Sequence, residues 1–150
     1  MTIRPVVPIL AACALATPLL GSAADRLGSA RDEAAVQEVV ETSYVQGLHA
    51  LRDEAVVRAG FHPDFVMTVN GGDGVVVVTL DEWLARLELD GEPSPRRIES
   101  RFERVDVSGQ AASVRVEILA DGEHLYTDYF GLYELEDGWK IVNKIFHSHS

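Results

Sequence analysis

Leu125-Tyr126-Thr127-Asp128-Tyr129-Phe130-Gly131-Leu132-Tyr133-Glu134-Leu135, a turn at Asp137-Gly138, then Trp139-Lys140-Ile141-Val142-Asn143-Lys144-Ile145-Phe146: this stretch decides the fold class. Two long runs rich in aromatic and β-branched residues, joined at Asp-Gly, predict an antiparallel hairpin. Further turn pairs stand upstream at Asp121-Gly122 and Ser108-Gly109. Together they divide the second half of the chain into four predicted strands, at 97–107, 111–120, 124–136 and 139–147. Ala112, Val114, Val116 and Ile118 alternate with Ser113, Arg115 and Glu117, the period of a sheet with one buried face. In the first of the four, Ile98 and Phe102 share a face while Val105 and Val107 take the other. A bulge near Glu103-Arg104 reconciles them and bends the sheet.

The first half reads mainly as helix. Val36, Val39, Val40, Tyr44, Gly47, Leu48 and Leu51 form one apolar stripe at the helical period, with Ser29 or Asp32 as its cap. A short second helix is predicted after Asp53, closed by Gly60. Phe61-His62-Pro63-Asp64 is a turn, since Pro63 forbids helix there. A hairpin follows, with strands at 65–69 and 75–78, and the four valines of its second strand suggest cover on both faces. Thr79-Leu80-Asp81-Glu82 is a capping box opening a helix that carries Trp83, Leu84 and Leu87 on one side. Helices that need an apolar surface, followed by a bent meander that offers one, make an α+β domain. The expected architecture is a cone: a curved antiparallel sheet wrapped around the N-terminal helices.

The chain has 150 residues and a formal net charge of −11, which suits one acidic domain. Residues 1–23 read as a signal peptide, with Arg4 before an apolar run from Val6 to Leu20 and small residues at Gly21-Ser22-Ala23. Export, periplasmic or secreted, is the expectation. The alternatives are a membrane anchor, for which the run is short, and a lipoprotein through Cys13. Residues 24–31 are read as a flexible lead and 32–150 as the domain. Cleavage removes the one cysteine, so disulfides and thiol chemistry drop out of the mature chain. The acidity disfavours nucleic acid. No motif calls for a cofactor, and the two histidines of His147-Ser148-His149 are too few for a metal site.

The order of elements resembles the nuclear transport factor 2-like superfamily, the cone fold shared with ketosteroid isomerase and scytalone dehydratase. Within it, the chain resembles the family labelled putative lumazine-binding. The resemblance rests on the first helix with Tyr44 and Gly47-Leu48, on Phe61-His62-Pro63, on Val107-Ser108-Gly109-Gln110-Ala111-Ala112, on Asp128-Tyr129 and on the run from Gly138 to His147. It implies a pocket at the open end of the cone, a small organic ligand and homodimers formed through the sheet. The apolar residues on both faces of the final hairpin, Trp139, Ile141 and Ile145 against Val142 and Phe146, also favour such a dimer.

Tyr44, on the apolar stripe, is a candidate ligand donor, as the tyrosine of the isomerase relatives implies, or a core phenol. Phe65, Trp83, Asp128, Tyr129 and Lys144 complete the expected ligand-binding set. Isomerase and dehydratase relatives carry a carboxylate base on the strand after Pro63, whereas Val66-Met67-Thr68-Val69-Asn70 has none. The candidate bases are therefore His62, which can equally stabilise its bend, and an Asp128–His147 dyad. Pairing about the Asp137-Gly138 turn places residue 131 opposite 144 and Asp128 opposite His147, with Lys144 a diagonal neighbour. The expected function is an exported small-ligand-binding domain without firm catalytic activity. The alternatives are a small dehydratase or isomerase using a His or Asp–His base, and a non-catalytic dimerisation domain.

Overall fold

The computed structural model describes residues 23–149. Cys13 and, Ala23 apart, the signal segment lie outside them. Helix α1 (Ala23–Val39) leads into a π-helical continuation over Val40–Ala50, then α2 (Glu54–Gly60), β1 (Phe61–Asn70), β2 (Val75–Thr79), α3 (Leu80–Leu87), β3 (Ile98–Ser108), β4 (Ala111–Ala120), β5 (Glu123–Leu135) and β6 (Gly138–Ser148). No helix of the described residues is long and apolar enough to cross a membrane. The helix already covers residues 24–31, where the sequence suggests a flexible lead. Apart from Gly28 that segment holds no helix breaker, and extending a nucleated helix costs little.

The strands form one six-stranded sheet in the order β2-β1-β6-β5-β4-β3. Every pairing is antiparallel except β1 with β6, which joins the early hairpin to the late meander. Local signals explain most boundaries. Asp53 caps α2 by accepting from the N–H groups of Ala55 and Val56. Thr79 and Glu82 form the reciprocal capping box of α3, with Glu82 N donating to Thr79 Oγ1 and Thr79 N to Glu82 Oε2. The bulge in β3 falls between Phe102 and Arg104.

The inner face of the sheet closes on the helices through one core that includes Val36, Val40, Tyr44, Phe65, Val116 and Leu132. Gly60 is part of this closure. A Cβ there would stand 2.5 Å from Ser43 Cβ and would strike its Oγ, so only glycine lets α2 lie against the π-helical segment.

Three expectations are corrected. The four valines are not covered on both faces: β2 is an edge strand, and Val75, Val76 and Val77 are exposed while Val78 is buried. Leu51, placed on the helical stripe, is exposed because the wider π turn rotates it out. The final hairpin does not carry apolar residues to both faces along its length. Val142 is an extra residue in β6, since Leu132 pairs with Ile141 but Gly131 with Asn143. Before this bulge Trp139 and Ile141 face inward; after it Lys144 does, and Ile145 points out.

Candidate functional site

A partly enclosed cavity of about 120 Å³ lies between the π-helical segment, α3 and the inner face of β5 and β6. Its apolar walls are Leu48, Met67, Leu87 and Phe146, with the rings of Trp83 and Tyr126. Tyr44, His49 and Lys144 bring the polar groups.

Four of these positions follow from local irregularities. Lys144 would face solvent if the alternation begun at Trp139 and Ile141 continued; the Val142 bulge turns it inward. The π-helical segment stacks residues four and five apart, where an α-helix stacks three and four. Its last backbone bond, Leu51 N to Gln46 O at 2.7 Å, still spans five residues. Tyr44, Leu48 and His49 consequently share one side, with the Tyr44 and His49 rings edge-to-face at 4.8 Å.

Behind the cavity wall sits a buried polar triad. Tyr44 Oη donates to Asp128 Oδ2 at 2.7 Å, and Lys144 Nζ donates to Tyr44 Oη at 2.8 Å. The ammonium also faces Asp128 Oδ1 at 2.8 Å as its charge partner, an oxygen that receives no aligned hydrogen bond. Asp128 is opposite Phe146 across the strands and reaches Lys144 on the diagonal. Both charged side chains are almost fully shielded, at 0% and 4% exposure. Around Nζ stand the rings of Tyr44 at 4.5 Å, Phe146 at 4.8 Å and Trp83 at 5.0 Å, which favour a cation electrostatically.

Burial dominates the acid–base behaviour. Desolvation lowers the Lys144 pKa from its ordinary value, with Asp128 opposing the shift. Desolvation, then the Asp128 charge, raises the Tyr44 phenol well above its usual range. His49 is lowered to about 3 by desolvation and by the Lys144 charge, which keeps its ring neutral at any ordinary pH.

The sequence candidates separate cleanly. Tyr44, Trp83 and Lys144 line the cavity, and Asp128 holds two of the polar groups from behind. Phe65 is buried one layer back, stacked on Trp83 at 5.8 Å. Tyr129 is on the opposite face of β5, exposed near Arg104 and Arg115. His62 does not reach the cavity; its Nδ1 accepts from Asp64 N at 3.1 Å, and the segment expected as a turn is the start of β1, whose pairing with β6 shifts register between Phe61 and Val66. The Asp128–His147 dyad does not form. The register puts Thr127, not Asp128, opposite His147, so that histidine lies on the other face. The tail is tied down: His149 N donates to Leu125 O, and its ring stacks on His124 at 3.7 Å. His49 and Tyr126 escaped the sequence reading. Tyr126 stands two residues before Asp128 on the same face, a signal that could have found it; His49 lies off the α-helical stripe.

The family described as putative lumazine-binding matches residues 31–147. The chain belongs to this family. Among curated proteins, the aldolase FrzH of a Cladobotryum species is 30% identical over 117 residues, covering 74% of this chain and 89% of that one. Solved structures of nuclear transport factor 2-like proteins of unknown function show the same fold. The one from Shewanella baltica is 24% identical with a TM-score of 0.68, covering 81% of this chain and 96% of its own. The one from Methylobacillus flagellatus is 26% identical with a TM-score of 0.65, covering 81% and 95%. The α+β fold and the superfamily are thus common to this chain and these solved structures.

Proposed function

We propose that the protein is an exported small-molecule-binding domain whose cavity takes a small neutral carbonyl compound, held by the Lys144 ammonium. The observation that carries this reading is a shielded cation at a cavity wall with a donor to spare. An ammonium has three N–H groups. One is given to Tyr44 and one is turned toward Asp128, while the Lys144 side chain lines the cavity. Asp128 already balances the charge, so a second carboxylate would bring an uncompensated anion into a dry site. A carbonyl oxygen accepts the remaining N–H without that cost. The family name and the carbonyl chemistry implied by the name of the aldolase relative both favour a small organic occupant.

Size narrows the class. An apolar cavity of about 150 Å³ holds benzene. The cavity here is about 120 Å³, so a short or single-ring molecule is the natural fit, and a bicyclic pteridine would project from the mouth. The existence of a cavity weighs against a pure association domain. Association of two copies through the outer sheet face fits the same reading, since Tyr129, Tyr133 and Ile145 stand exposed there.

The test is a thermal-shift and native mass spectrometry screen of small ketones and aldehydes against wild type and Lys144→Met. Binding by wild type that the variant loses supports the reading; equal response of both, or none, refutes it. A catalytic version has one specific support, the desolvated Lys144, whose amine could add to a carbonyl carbon and expel water to form an imine. Borohydride reduction in the presence of a binding ketone would then add the mass of the trapped adduct at Lys144. His49 is too weakly basic to remove a proton from carbon efficiently.

A further inference from the structure

His49 is the residue in the cavity that neither the core nor the triad explains. Its Nε2 is sealed from solvent and has no hydrogen-bond partner among the described residues. Buried polar atoms are nearly always paired, and an orphan beside a cavity points to a partner that arrives with a ligand. The chain brings this atom here at some expense, since π-helical bonding is seldom sustained beyond one turn and is frequent at functional sites.

The geometry points to His49 as the specificity residue for a second polar group, so that the ligand class is a small neutral hydroxycarbonyl compound; this rests on the pocket reading above. The two polar contacts flank one ring. Lys144 Nζ lies 4.5 Å from the Tyr44 centroid, and the His49 ring centroid lies 4.8 Å from it. A single small molecule in the cavity can therefore meet both. Lys144 offers only donors, so the group facing it is an acceptor oxygen. Neutral His49 offers one lone pair or one N–H at Nε2, depending on tautomer. A hydroxyl can answer either one, because it both donates and accepts, whereas an ether can only accept and a methyl does neither. A carboxylate in its place would meet the triad already neutralised by Asp128. The groups facing His49 fit this division: the Tyr44 ring stands nearly perpendicular to it, the Tyr126 ring lies tilted at 5.9 Å, and neither satisfies Nε2.

The experiment compares two probes of equal skeleton, cyclohexanone and 4-hydroxycyclohexanone, by NMR titration of wild type, His49→Leu, His49→Gln and Lys144→Met. Wild type is expected to prefer the hydroxylated probe about tenfold, the effect of one buried hydrogen bond that would otherwise go unmade. His49→Leu is expected to lose that preference while holding cyclohexanone within about threefold, and His49→Gln to recover part of it. The Nε2 resonance of wild type should move with the hydroxylated probe and stay still with the ketone. Equal affinity of the two probes for wild type, or a preference that survives His49→Leu, overturns the role of His49 while leaving the carbonyl pocket standing. Failure of wild type to bind either probe, or unchanged binding by Lys144→Met, overturns the pocket reading and this inference with it.

Discussion

Two ionic groups in this molecule have the same contact distance and opposite surroundings. On the surface, Arg96 joins Glu123 at 2.8 Å and Asp121 at 3.1 Å, all three side chains wet. Inside, Lys144 meets Asp128 at 2.8 Å with almost no exposure. The surface group ties the start of β3 to the β4–β5 turn, and water screens most of its attraction. The inner group is dear to bury, and apolar residues of similar volume would often serve stability as well. Distance alone therefore says nothing about role; the shielded pair is understood through the cavity it borders.

The largest effect that would sharpen this contrast is Lys144→Met, which strands the Asp128 carboxylate and should cost about 3–5 kcal/mol in urea unfolding. Adding Asp128→Leu to that variant should restore most of the loss; a double variant as unstable as the single one would mean that the pair itself stabilises the fold. Acid should next distinguish the interior. His49 is neutral in the folded chain down to about pH 3, whereas in the unfolded chain it takes a proton near its ordinary value of 6.5. The unfolded state then binds more protons between those values, so stability falls as pH drops through that window, by up to about 1.4 kcal/mol per unit. His49→Leu should flatten this limb, and identical acid profiles would overturn it.

Tyr44→Phe removes a donor to a buried carboxylate and should cost about 1.5–3 kcal/mol. Gly60→Ala forces the clash with Ser43 and should cost about 1–3 kcal/mol, with no effect on ligand affinity beyond stability. Arg96→Gln should give the smallest shift in unfolding midpoint of the series, one that salt abolishes. A larger loss from Arg96→Gln than from Lys144→Met would invert the comparison.

What could be read from the sequence divides along regularity. The period-two strands, the Asp-Gly turns, the capping box at Thr79 and Glu82 and the β3 bulge all leave a local pattern, and each is present. Lys144 and His49 depend on one-residue departures from regular geometry. The Val142 bulge sits in a run of plausible strand residues, and the π turn has no proline or glycine signal at its start. Long-range packing selects both, so a fixed period carried Ile145 inward and Leu51 onto the buried stripe, where neither lies. Asp128 was legible as a costly mid-strand carboxylate, but its partner shifted from His147 to Tyr44 and Lys144 when the register moved by one.

That single surplus residue in the last strand also makes the chemistry of the interior a matter of odd and even. Were Val142 paired in the ladder instead of bulged, every side chain would remain, yet isoleucine would turn toward the hollow and lysine toward water. A one-residue slip in pairing, with no change of composition, is thus enough to convert a polar receptor into a greasy plug, a short path between unrelated roles.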